Sequence, residues 1–200
     1  LLLVSAYAKL QPSFLWQMKY ETGECANIAD ICKRLGPNTS KLLLQIHSIT
    51  GCDTTSYFYL KGKVTPFKRA LQMECLPLLK SLGSDKQISD ECLIDCKEFI
   101  HTVLYNGNLG ESYLETRIQI YVNQPINSKS TQTIPSDEDS CTQHILRSHH
   151  QAYVWSHFDE YIIPEINPCD NGWKTDGLML HPIWFTGPQF PPTLKRTKKK

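Results

Sequence analysis

Hydrophobic positions along the chain fall into a few runs of distinct period. Leu1 to Ala8 is continuously apolar, the pattern of a parallel strand covered on both faces. Phe14 to Tyr20 reads as a second strand, closed by a Glu21-Thr22-Gly23 turn. Asn27-x-x-Asp30 has capping-box spacing and opens a helix through Ile31 and Leu35 to a C-cap at Gly36. Lys41 to Ile46 is too densely apolar for a surface helix and reads as a buried one, with Asn38, Thr39 and Ser40 as candidate N-caps and Gly51 as its stop. Thr65-Pro66 reads as N-cap and first position of the next helix.

Further along, a short helix is predicted over Cys75 to Leu82. A longer one follows Ser89-Asp90-Glu91 and runs to about Tyr105, with Cys92, Cys96, Phe99, Ile100, Val103 and Leu104 on its buried side. Tyr113 to Val122 fits helix or strand, and helix is the choice. Residues 123–140 form a polar linker whose Asp137-Glu138-Asp139 cluster leads into a helix over Cys141 to Phe158. Beyond Pro164, prolines and tryptophans mark extended chain anchored on the body, up to residue 187, with a basic tail over 188–200.

The most information-rich stretch is His47-Ser48-Ile49-Thr50-Gly51-Cys52-Asp53-Thr54-Thr55-Ser56, followed by Leu60-Lys61-Gly62-Lys63. Asp53 stands just past a buried helix, beside two hydroxyls. There a carboxylate either caps the next helix or ligates a hard divalent cation through oxygen. Leu60 to Leu71 carries Lys61, Lys63, Lys68 and Arg69 and no acidic residue. A Lys-Gly-Lys turn feeding a helix N-terminus suits a phosphate backbone, and equally a solvated basic turn.

This stretch resembles the Gly-x-Asp and glycine-turn segment of flap-endonuclease (XPG-type) 5′-nucleases and the wider PIN-like group. The pattern His-x-x-Thr-Gly-Cys-Asp-Thr-x-Ser, then Gly-Lys, is similar to a family of PIN-like proteins from invertebrates associated with mobile elements. His47, Thr50, Gly51, Cys52, Asp53, Thr54, Ser56, Gly62 and Lys63 carry the likeness. The resemblance implies an α/β, PIN-like fold: a partial parallel sheet over residues 1–122 with a mostly helical C-terminal portion. It implies a metal-dependent nuclease that hydrolyses phosphodiesters with Mg²⁺ or Mn²⁺. Asp53 is then the catalytic and metal-binding carboxylate, with Thr54 and Thr55 orienting it or a metal-bound water. Lys61, Gly62, Lys63, Lys68 and Arg69 hold nucleic-acid phosphate, DNA being the expected partner. Such domains place further acidic residues ahead of their first strand, and this chain opens at Leu1 inside that run. The nuclease reading is therefore of an incomplete fragment; its alternative is a catalytically inactive scaffold that binds nucleic acid or protein.

Charge and cysteine content refine this. The net charge is +1, yet Lys195, Arg196, Lys198, Lys199 and Lys200 crowd the last six positions, so the body is mildly acidic and any nucleic-acid surface is local. The terminal cluster has the form of a nuclear-import signal and of an electrostatic arm, pointing to the nucleus. The eight cysteines are scattered without a CxxC pair, which favours free thiols in a reducing compartment over disulfides or zinc. Four histidines between His144 and His157 face different sides of one helix and read as structural, with Arg147 a minor phosphate candidate. Leu1 to Val4 is too short to span a membrane.

Overall fold

A computed structural model describes residues 2–108, 111–128, 130–162 and 164–187. Eight α-helices dominate these residues: α1 (Leu2–Leu10), α2 (Ile28–Leu35), α3 (Pro37–Lys41), α4 (Leu43–Ile49), α5 (Val64–Gln72), α6 (Asp90–Phe99), α7 (Tyr113–Val122) and α8 (Glu138–Ser156). Two short antiparallel hairpins complete the set. One pairs β1 (Trp16–Met18) with β2 (Cys25–Asn27); the other pairs β3 (Trp173–Thr175) with β4 (Leu180–Pro182).

The expected PIN-like α/β fold is overturned, because no parallel sheet exists among the described residues. The misreading starts at the first run. Leu2–Leu10 is a helix with only Val4 and Ser5 buried. A continuous apolar run does not separate a covered strand from a helix. Its leucines, alanines and lysine are strong helix formers, and the run is long for a strand. Phe14 to Tyr20 does contain a strand, but it pairs only with its own hairpin partner.

Other boundaries follow the sequence closely. Asn27 caps α2 by accepting from Ala29 N at 3.0 Å, and Gly36 closes that helix by donating to the Cys32 carbonyl. Ser89 caps α6, which continues into one wide π-helical turn, Ile100–Leu104. The predicted inner face of Cys92, Cys96, Phe99, Ile100, Val103 and Leu104 is buried. α7 is helical over the expected span and opens on a Ser112–Glu115 capping box. Asp137 caps α8 through Ser140 N at 2.9 Å, so the acidic cluster is indeed a helix lead-in.

Two cap assignments and one helix fail. Asn38, Thr39 and Ser40 lie inside α3 rather than ahead of a helix. α5 begins at Val64, two residues before Pro66. The Cys75 to Leu82 segment forms only a 3₁₀ turn over Leu76–Leu79.

α4 and α8 form the axis of the molecule. Leu43, Ile46 and Ile49 meet Cys141, Ile145 and Ala152 in one core, with Leu79, Leu82, Phe99 and Ile100 closing it from the side. Burying each such side chain contributes about 1.5–3 kcal/mol. α1 is tied to the C-terminal end of α8 by Lys9, which donates to the Ser156 carbonyl at 2.9 Å and pairs with Asp159 just beyond the helix.

Candidate functional site

The central motif lies where α4 ends against α8. Thr50, with its hydroxyl on the Ile46 carbonyl at 2.6 Å, ends the helix. Gly51 follows at φ 101°, and a Cβ there would stand 2.7 Å from the Tyr57 ring and 2.8 Å from the Ser56 carbonyl oxygen. Only glycine fits both the left-handed backbone and that approach.

Residues 52–55 then make a tight turn. Thr55 N donates to the Cys52 carbonyl at 3.2 Å, and Cys52 N donates to Thr55 Oγ1 at 2.9 Å. The buried Thr55 hydroxyl in turn donates to the Ser48 carbonyl at 3.0 Å. Asp53 and Thr54 occupy the exposed corner of this turn. No helix starts beside Asp53, so it is not a helix cap; the next helix begins only at Val64. Thr54 hydrogen-bonds Gln151 of α8.

α8 presents a polar stripe to this turn. His144 Nε2 donates to the Ile49 carbonyl at 2.8 Å, which leaves Nδ1 to accept from the Ser56 hydroxyl, also at 2.8 Å. Burial holds the ring's pKa down to about 4, so it is neutral. The Ser148 hydroxyl lies 2.9 Å from the His144 carbonyl one turn back and 3.2 Å from the Ser48 carbonyl, and shares its proton between them. His47 stacks on Trp155 with ring centroids 5.3 Å apart. Its pKa is lowered, first by burial and then by the Lys63 charge.

Arg147 is buried. Its guanidinium donates to the carbonyls of Gly172 (3.2 Å) and Ile183 (2.5 Å) and lies over the Trp184 ring. It anchors the tryptophan- and proline-marked segment on the body instead of facing solvent. Asp139 does the same for Thr186 through backbone and hydroxyl. His149 accepts from Gly83 N at 3.0 Å and donates to the Asp85 carbonyl at 2.8 Å, a second cross-link from the same helix.

The basic residues of the motif diverge. Lys63 turns inward onto the end of α4, donating to the carbonyls of His47 (3.1 Å) and Gly51 and to the Thr50 hydroxyl (3.4 Å). A cation is favoured at a helix C-terminus, and partial burial lowers its pKa. Lys61 lies over the Tyr105 ring at 4.9 Å, its pKa lowered by burial and by Arg69. Gly62 and Lys68 are exposed and Arg69 is half-buried. Lys195, Arg196, Lys198, Lys199 and Lys200 lie outside the described residues.

A catalytic Mg²⁺ or Mn²⁺ would need several oxygen ligands. Among the described residues no three His, Cys, Asp or Glu side chains are grouped to hold a metal ion. Thr54 and Thr55 are engaged elsewhere. The donor set around Asp53 therefore does not fit the ion. Among the described residues, no helix is long and apolar enough to cross a membrane.

Sequence reasoning missed Ser148, Gln151 and Trp155 as partners of the motif. The signal was present in the spacing of His144, Ser148, Gln151 and Trp155, three to four residues apart and so on one helix face. No family model, curated protein or solved structure matches the chain. The motif likeness thus stands on its residues alone.

Proposed function

We propose that this chain is a non-catalytic helical scaffold that docks a protein partner, its central motif serving as the clamp that builds the scaffold. One observation carries the reading: the motif's polar groups are spent on closing the end of α4 and joining it to α8, and Asp53 stands at an exposed turn with no metal-ligand group around it among the described residues.

The surface suited to a partner is the first hairpin. Phe14, Trp16, Met18 and Tyr20 sit at every second position and are 78%, 56%, 64% and 94% exposed, while Leu15 packs inward. An uncovered apolar face of this kind marks an interaction site. Lys19, Glu21 and Glu24 give its surroundings both signs of charge, which favours a protein over a phosphate backbone.

Two measurements test the proposal. Mn²⁺ calorimetry and a phosphodiester-cleavage assay on wild type and Asp53→Ala should give no Asp53-dependent heat and no cleavage; metal binding lost in the variant would restore the nuclease reading. A photocrosslinker at position 18, on the same strand face as Trp16, should yield in native cell extract a discrete protein adduct that Trp16→Ser removes. Adducts to nucleic acid, or none, would overturn the docking face.

A further inference from the structure

A groove of about 370 Å³ runs between α1, α2, α4 and α5. Its floor is aliphatic and aromatic: Val4, Ile31, Leu35, Ile46 and Phe67 reach it from four different helices. Two lysines line it, Lys63 and Lys68, and no acidic residue does. Lys63 has its three donors committed to the end of α4 and lends only charge. Lys68 is exposed on the next turn of α5, and no hydrogen bond or ion pair engages it among the described residues.

We propose that this groove binds an amphipathic monocarboxylate with a medium-length aliphatic tail, the tail on the floor and the carboxylate at Lys68. Charge complementarity selects the head: Lys68 is an unengaged cation at the rim of an apolar trough that no carboxylate lines among the described residues. Size selects a small molecule. The volume lies at the low end of small-ligand sites, which are mostly apolar with a few orienting polar groups. An amphipathic helix would need a longer trough to seat anchors over two turns. The site is separate from the hairpin face and does not rest on the docking proposal.

Calorimetry on the whole chain with octanoate, decanoate and dodecanoate, each below its micelle concentration, tests this. Affinity should rise by about fourfold per methylene until the groove is filled. Lys68→Glu, an exposed change that leaves the floor intact, should weaken decanoate at least tenfold and leave 1-decanol within twofold. Val64→Trp, which adds bulk at the exposed rim, should abolish both. Equal decanoate binding by wild type and Lys68→Glu would overturn the head-group assignment. No binding by wild type, or binding that Val64→Trp leaves intact, would overturn the site.

Discussion

Ser56 and His144, 88 residues apart, share a 2.8 Å hydrogen bond in which the serine hydroxyl donates to Nδ1. The other ring nitrogen is held by the Ile49 carbonyl. The imidazole is neutral because burial, and then the Arg147 charge beside it, disfavour the cation.

Stability should therefore fall with acid in a defined window. The folded pKa of about 4 lies below the ordinary 6.5. Between those values the unfolded chain binds more protons, so the contribution is fully present above about pH 6.5 and lost as pH drops toward 4. The loss is up to about 3 kcal/mol. His47 and His150 are shifted in the same direction, chiefly by burial. Urea midpoints at pH 7.5 and pH 4.5 measure it. His144→Gln should be less stable at pH 7.5 by about 1–3 kcal/mol and show a shallower acid slope; an unchanged slope would assign the titration to other groups.

Gly83 packs its backbone against α8. A Cβ there would lie 2.6 Å from both the Ala152 Cβ and the Tyr153 nitrogen, at φ 76°. Neither neighbour is a flexible side-chain end. Gly83→Ala should cost about 2–4 kcal/mol, from strain and overpacking together, readable as a lowered urea midpoint.

Thiol reactivity should divide by position. Cys25 and Cys169 are exposed, whereas Cys52, Cys75, Cys92, Cys96 and Cys141 are buried. Burial pushes the Cys141 thiol up to about 11, further suppressing its thiolate. An aromatic disulfide reagent should label Cys25 and Cys169 rapidly in the native protein. The five buried thiols should react only on unfolding.

Lys63 and Lys68 should behave oppositely in stability measurements. Lys63→Met strips a charged donor from carbonyls at the end of α4 and should cost about 1–3 kcal/mol. Lys68→Met should change the midpoint by less than about 0.5 kcal/mol, as exposed substitutions do. A lysine dedicated to phosphate at position 63 would instead leave stability unaltered.

Much of the helical layout was legible because it is local. The Ser89 helix start, the inner face of α6 and the glycine stop at Gly51 follow from patterns a few residues long. The fold class was not legible. Leu2–Leu10 has no alternation to distinguish strand from helix, and reading it as a covered strand brought a parallel sheet that is absent among the described residues. The motif was recognised as the hub of the chain, but its role depends on partners such as Gln151 and Trp155 about a hundred residues away. Short-range spacing placed Asp53 beside two hydroxyls; it did not reveal that Thr55 faces Ser48 and Thr54 faces α8. Lys63 looked free for the same reason.

The motif is a structural clamp, and paired denaturation of Thr55→Val and Asp53→Ala tests this most directly. Thr55 is buried and bridges Cys52 N and the Ser48 carbonyl, while Asp53 is exposed at the turn corner. Thr55→Val should lose about 1–3 kcal/mol and Asp53→Ala no more than about 0.5 kcal/mol. A neutral Thr55→Val, beside an Asp53→Ala whose stability responds to added Mn²⁺ differently from wild type, would contradict the account.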